Sequence, residues 1–319
     1  MKLKTIEIGL PENEVKIESM KGRFADFDLA VERSGVTRKY VAAENESALD
    51  LADATCRSMR RSDPNAFADL DGLIFITQTP DHLLPGNSFL LIDRLDLSED
   101  VVNFDVNQAC AGFAYGTLMA QSLMQSNTCR SIALVCSDTY SKIISPQDRG
   151  TSLLFGDACA VTMFSNSDGA YSVAACSVKN YAKYAQLFIV QDAAARDRYR
   201  SDTPAIEMQG AALLNLVSLT APNFLSQFFR ENGLTKDDID LFVFHQASKV
   251  ALDRLQEMLA IPDDKMYRNI EDYGNTTCAS IPIALHDALE DRAGNPPKRI
   301  LVFGFGAGFS VGAVLLQAD

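Results

Sequence analysis

The sequence predicts an α/β protein with a duplicated architecture, on three observations. Short apolar runs of strand length alternate with longer helix-like segments, the pattern of sheets covered by helices on both faces. Three pairs of segments recur at nearly one offset, 168 or 169 residues apart. The 319 residues, 47% of them hydrophobic, correspond to about two domain-sized units, enough for a large core.

The runs read as buried strands are Leu73–Thr77, Val101–Val106, Ile132–Cys136 and Ala158–Phe164, then Leu241–Phe244, Ile300–Phe303 and Val311–Leu316. Each is short and rich in branched or aromatic residues. The longer segments read as helices are Ser47–Arg61, Ala111–Met124, Met208–Glu231, Lys249–Leu259 and Ala279–Leu289. In the repeat, Leu70–Phe75 matches Ile239–Phe244, Ala109-Cys110-Ala111 matches Thr277-Cys278-Ala279, and the strand from Ile132 matches the strand from Ile300. The cluster of Asn, Ser, Asp and Gly at Ser165–Tyr171 reads as the joining turn, dividing the chain into residues 1–168 and 169–319. Ser177 to Pro204, charged and with one brief apolar run near Leu187–Val190, reads as a surface loop or lid.

Composition narrows the function. A formal net charge of -13 disfavours nucleic acid and anionic membrane as partners. Local cationic patches remain at Arg33, Arg38 and Lys39, at Arg149, and at Lys249 with Arg254. Seven scattered Cys without a C-x-x-C pair read as reduced thiols of a cytoplasmic protein, not as a disulfide framework or zinc site. Three His are too few for a His-rich metal centre. The N-terminus lacks the apolar stretch of a signal peptide, and no apolar run approaches membrane-spanning length.

Cys110 is the most informative residue. A strand-like run leads into it and a helix-like run leaves it. A thiol on the first turn of a helix faces unpaired N–H groups and the positive end of the dipole, which favours the nucleophilic thiolate. A small buried core residue is the alternative. His245 ends a strand and reads either as a hydrogen-bonded core residue or as an N–H donor to a developing oxyanion. Asn275, after a Gly, reads as a turn or cap residue or as a second donor. The run Gly304–Phe309 lies too near the C-terminus for a dinucleotide-binding βαβ unit. It reads instead as a tight turn between two strands, with small residues that let backbone N–H groups approach a ligand.

Together these motifs resemble the thiolase-fold condensing enzymes, specifically the β-ketoacyl-acyl-carrier-protein synthase III family. The carrying residues are Glu32–Val36, Asn107–Phe113, Asp148–Thr151, Phe155-Gly156-Asp157, His245-Gln246-Ala247, Gly274-Asn275-Thr276 and Gly304–Phe309, in order over nearly the whole chain. The resemblance implies a thiolase-like, duplicated five-layered αβαβα fold and a homodimer without cofactor. It implies a Cys110-His245-Asn275 triad in which an acyl-CoA, or an acyl carrier protein, acylates Cys110. Decarboxylative condensation with a malonyl thioester follows. Backbone N–H groups of Cys110 and Ala307 would form the first oxyanion hole. Substrate contacts would fall on Arg33, Arg149, Gly210, Ser248 and Phe305, with Leu84 near the acyl pocket of the partner subunit.

Asn275 separates the chain from elongating synthases, which place a second His there. The C-terminal Gly-rich run lacks the second catalytic Cys of a thiolase. The chain departs from the family's coenzyme A site, with Leu29, Ser248 and Val250 where Trp, Asn and Arg are usual. Those departures motivate an alternative, transfer of the acyl group to an oxygen or nitrogen nucleophile. A further alternative is a subunit of a heterodimeric synthase.

Overall fold

A computed structural model describes residues 1–191 and 205–318. From the N-terminus come β1 (Lys2–Gly9), β2 (Glu14–Lys16), α1 (Phe27–Ser34), β3 (Arg38–Tyr40), α2 (Ala48–Ser62) and β4 (Gly72–Ile76). Next are α3 (Asn87–Arg94), β5 (Val102–Val106), α4 (Gly112–Gln125), β6 (Ser131–Asp138), α5 (Arg149–Ser152) and β7 (Ala158–Ser165). The chain continues with β8 (Tyr171–Asn180), β9 (Phe188–Val190), β10 (Ile206–Met208), α6 (Gly210–Glu231), β11 (Leu241–Phe244) and α7 (Lys249–Leu259). It ends with β12 (Met266–Tyr267), α8 (Ile270–Tyr273), α9 (Ser280–Asp291), β13 (Arg299–Gly306) and β14 (Ser310–Ala318).

Ten strands form one mixed sheet in the order β12-β11-β13-β14-β8-β1-β7-β6-β4-β5. Its two ends are copies of each other. From either outer edge inward the strands come third, second, fourth, fifth and first in chain order. Both sets pair parallel, parallel, antiparallel, antiparallel. The sets meet where β1 runs antiparallel to β8. Helices α4 and α9 pack between the two sets of strands, α2 and α3 cover one outer face, and α6 and α7 cover the other. This is a duplicated five-layer αβαβα arrangement.

The repeat seen in the sequence has a physical basis. The Asp71 carboxylate accepts the N–H groups of Arg130 and Ser131 at 2.9 and 2.8 Å, tying the start of β4 to β6. Asp240 accepts those of Lys298 and Arg299 at 3.0 and 2.8 Å, the same tie between β11 and β13. Charge-assisted bonds of this kind are roughly twice as strong as neutral ones. Helix starts are set locally as well. Ser47 and Asp50 form a reciprocal capping box at α2.

Two expectations need correction. The run at Val101–Val106 is not a buried strand, because β5 is the outermost strand of the sheet and leaves Phe104 40% exposed. Its Asp105 carboxylate instead accepts the N–H groups of Asn87 and Ser88 at 2.6 and 2.8 Å and so caps α3. The proposed loop from Ser177 begins inside β8, paired with β14. It continues as a 3-10 turn at Ala182–Leu187 and a short hairpin of β9 with β10. The rest of that expectation, residues 192–204, lies outside the described residues.

Candidate active site

Cys110 lies just before α4, whose N-cap is Ala111, so it precedes the first helical turn instead of sitting on it. The hairpin of β13 and β14 presses on it from the other set of strands. A Cβ built on Gly306 would lie 2.8 Å from Cys110 N, and one on Gly304 would lie 2.9 Å from Cys110 O. Glycine at these two places allows the strand to reach the backbone around the thiol. The Gly-rich run is thus a turn between two antiparallel strands, as expected. The backbone N–H of Ala307 has no hydrogen-bond acceptor among the described residues, and that of Cys110 meets only its own sulfur.

The thiol is 3% exposed. Burial, and next the Asp138 carboxylate, push its pKa up, opposite to the helix-end expectation. The dipole effect is confined to the first helical turn, and desolvation of an anion is the larger quantity. The resting group is therefore a neutral thiol.

His245 follows β11 and is 2% exposed. Its N–H donates to Phe303 O at 2.9 Å, and its ring meets the Phe305 ring edge-on at 5.3 Å. Burial lowers its pKa to about 3, so the imidazole is neutral. Its Nδ1 lies 3.0 Å from Ser280 Oγ, which already accepts the Gln246 N–H at 2.8 Å. Among the described residues the Ser280 O–H has no other acceptor, so it donates to Nδ1. The imidazole proton then sits on Nε2, the nitrogen left free to donate.

Asn275 is fixed as strictly. Its N–H donates to Leu154 O at 2.9 Å, and its Oδ1 accepts the Thr277 N–H at 3.0 Å. This assigns the amide: Nδ2 donates one hydrogen to Ala247 O at 3.3 Å and keeps the other free. Asn275 is thus the turn residue the sequence offered, with one amide hydrogen left over.

Cys110, His245 and Asn275 line one cavity of about 490 Å³, together with Arg33, Arg149, Gly210, Ser248, Phe305 and Ala307. Arg149 reaches Asp26 at 3.0 Å, and Ser248 accepts the Ala251 N–H at 3.2 Å as the N-cap of α7. Arg33 has no ion-pair partner among the described residues. Leu84 is 78% exposed and does not line this cavity. Lys39 is withdrawn from the cationic patches: buried, with its pKa lowered to about 8 by desolvation, it donates to Ser152 O and Phe155 O at 2.7 and 2.8 Å. Arg38 pairs with Asp272 at 2.9 Å and Lys249 with Asp253 at 2.5 Å. Sequence reasoning missed Ser280, whose only sequence signal is its place five residues after Asn275 at the start of a helix.

The fold is that of the thiolase-like condensing enzymes. Residues 104–182 match the family model for 3-oxoacyl-[acyl-carrier-protein] synthase III, and residues 229–318 match the model for its C-terminal part. The β-ketoacyl-[acyl-carrier-protein] synthase III of Neisseria meningitidis serogroup A is 30% identical over 310 residues, covering 97% of this chain and 96% of that one. The enzyme of the same name from Clostridium perfringens is 27% identical, covering 98% of both chains. The crystal structure of a 3-oxoacyl-(acyl-carrier protein) synthase from Burkholderia xenovorans superposes with a TM-score of 0.91. It is 30% identical and covers 100% of this chain and 94% of that one. The chain belongs to the 3-oxoacyl-[acyl-carrier-protein] synthase III family and is an acyl-transferring, condensing enzyme.

Proposed function

We propose that this enzyme makes a β-ketoacyl thioester with Cys110 as the acylated nucleophile. The observation that carries the reading is the convergence of Cys110, His245 and Asn275, from three separate elements, on one cavity where the backbone N–H groups of Cys110 and Ala307 bond to no carbonyl. Cys110 Sγ attacks the carbonyl of an acyl-CoA or carrier-bound acyl thioester. The carbon–sulfur bond to the donor breaks, and the thiol proton leaves with the departing thiolate. The N–H groups of Cys110 and Ala307 hold the oxyanion during this step. A malonyl thioester then loses carbon dioxide, and its enolate oxygen takes hydrogen bonds from His245 Nε2 and Asn275 Nδ2. The enolate carbon attacks the acyl carbonyl, a carbon–carbon bond forms, and the Cys110 thiolate leaves and regains a proton. Each preorganised donor is worth roughly 3–4 kcal/mol of barrier. Arg33 and Arg149 supply charge for the phosphates of the donor, with Gly210, Ser248 and Phe305 lining its path.

The reading needs no cofactor beyond the thioesters. Its halves are residues 1–168, carrying Cys110, and 169–319, carrying His245 and Asn275. The enzyme works as a homodimer in the cytoplasm. Uncovered edge strand β5, with Phe104, Leu83, Leu84 and Phe89 all exposed, supports pairing with a second copy. In that dimer Leu84 reaches the partner's acyl cavity. All seven cysteines are free, consistent with a reducing compartment. Among the described residues no helix is long and apolar enough to cross a membrane.

Intact-protein mass spectrometry tests the reading. Acyl donors should add an acyl mass to Cys110, and Cys110→Ala should abolish it. A second reading, transfer to an oxygen or nitrogen acceptor, draws on Ser248 and Val250 at the cavity wall. Normal acylation without consumption of malonyl thioester would favour it. A chain inert to every thioester until mixed with a second subunit would point to a heterodimer.

A further inference from the structure

Gln246 is 1% exposed and does not line the active-site cavity, although it directly follows His245. A buried amide is costly unless its polar atoms are bonded. Here they are. Its Nε2 donates to Phe244 O at 2.7 Å and to Tyr267 O at 3.4 Å, and its Oε1 accepts the Asn269 N–H at 3.1 Å. An N–H can only donate and a carbonyl only accept, so these partners fix which end of the amide is which.

The position of the amide is as informative as its bonding. Parallel pairing of β11 with β12 stops at Val243 and Tyr267. The Gln246 side chain carries the connection further, bonding one carbonyl of each strand and then the backbone of Asn269. Asn269 is the N-cap of α8, and its Nδ2 donates to Asp287 Oδ2 of α9 at 2.9 Å. Helix α8 is a single turn, closed by the Gly274 N–H on Ile270 O at 2.9 Å, and Asn275 follows at once. From the cavity side, Asn275 Nδ2 donates to Ala247 O, next to Gln246. The segments that carry His245 and Asn275 are thus tied at two places, Ala247 with Asn275 and Gln246 with Asn269.

We propose that Gln246 is a positioning residue for condensation: through Asn269 and the single turn of α8 it sets the spacing of His245 Nε2 and Asn275 Nδ2. The inference rests on the reading of those two groups as the enolate donors, and adds the residue that spaces them. Acylation of Cys110 uses backbone donors from other segments and does not depend on this spacing.

Gln246→Met keeps the length of the side chain and removes its three hydrogen bonds. Acylation of Cys110 is followed by intact mass, and condensation by product formation at saturating malonyl thioester. The ratio of condensation to acylation rates should fall about tenfold or more, as expected for misplaced donors. In a His245→Ala background, where no pair remains to be spaced, the same change should lower that ratio at least about threefold less than in the parent. If Gln246→Met does not fold, the near-isosteric Gln246→Glu, which loses the amide donors, carries the same expectations. A smaller fall in the parent, an equal fall in the His245→Ala background, or loss of acylation by both variants would overturn the proposal and make the amide a general support of the fold. Condensation undiminished by His245→Ala itself would instead sink the donor reading, and this inference with it.

Discussion

Thr277 Oγ1 donates to Asp138 Oδ2 at 2.6 Å, joining the loop that carries Asn275 to the end of β6 in the other half of the molecule. Asp138 is buried and also accepts from the N–H groups of Gln78 and Thr79 at 2.7 and 3.2 Å. Its charge is one of the causes that raise the Cys110 pKa. The same carboxylate therefore joins the two halves of the site and adds to the burial that keeps the nucleophile protonated.

Replacing the charge while keeping the shape separates these effects. Asp138→Asn should move the pH profile of Cys110 alkylation by iodoacetamide to lower pH, because a negative neighbour has gone. Its melting point should fall as well, by the equivalent of about 1–3 kcal/mol, since an amide N–H₂ would replace a carboxylate oxygen that accepts from Thr277 and Cys278. An alkylation profile that stays in place or moves to higher pH would show that the thiol does not sense Asp138.

Ser280 acts through His245. With Ser280→Ala, Nδ1 loses its donor and the proton is no longer held on Nε2, so the enolate loses a defined hydrogen bond. Condensation should slow by about 10- to 100-fold. Acylation of Cys110, which uses backbone donors, should change far less. Equal losses in the two half-reactions, measured separately by intact mass and by product formation, would mean a general structural defect.

The duplication was legible because it is written in chemistry. Asp71 and Asp240 do the same job in each half, and the strands that follow them, β4 and β11, are uniformly apolar. Cys110, His245, Asn275 and the Gly-rich turn were legible as motifs, although only the folded chain places them in one cavity. The seam strands β1 and β8 escaped notice because they alternate polar and apolar residues and carry charges, as in Lys2-Leu3-Lys4 and Val178-Lys179. The pairing partner that buries one face of each is more than a hundred residues away for β1 with β7 and β8 with β14. The protonation of Cys110 was misjudged because helix-end position is visible in a sequence, whereas burial and the approach of Asp138 are not.

Lys39 links that scaffold to the donor side of the cavity. Its ammonium holds the carbonyls of Ser152 and Phe155, and the nearby Asp157 carboxylate favours its charge. Lys39→Met should destabilise the protein by about 3 kcal/mol in urea unfolding, because two buried carbonyls and a buried carboxylate lose a partner. It should also raise KM for the acyl donor, since the segment it pins carries Arg149, Leu153 and Leu154 into the cavity wall. A variant as stable as the parent would show that Lys39 is passive filling.

The neutral state of His245 makes a thermodynamic prediction with a definite sign. Its pKa falls from an ordinary 6.5 to about 3 in the folded chain, with burial as the cause. Below pH 6.5 the unfolded chain takes up a proton that the folded chain refuses, so stability is lost as pH falls from 6.5 towards 3. Between pH 7 and pH 4.5 this amounts to about 2–3 kcal/mol from His245 alone. Asp138 and Asp157, whose pKa values are raised mainly by burial, act in the opposite direction and offset part of it. His286, raised chiefly by its hydrogen bond to Asp287, adds stability at low pH that is lost as pH rises through its folded pKa. These groups are common to the parent and to His245→Ala, so the comparison isolates the imidazole. Urea unfolding at the two pH values should show the parent losing about 2–3 kcal/mol more than His245→Ala on acidification. Equal losses would mean that the imidazole is already hydrated or charged in the folded state, and a cationic His245 would be a different donor from the neutral Nε2–H that Ser280 holds in place.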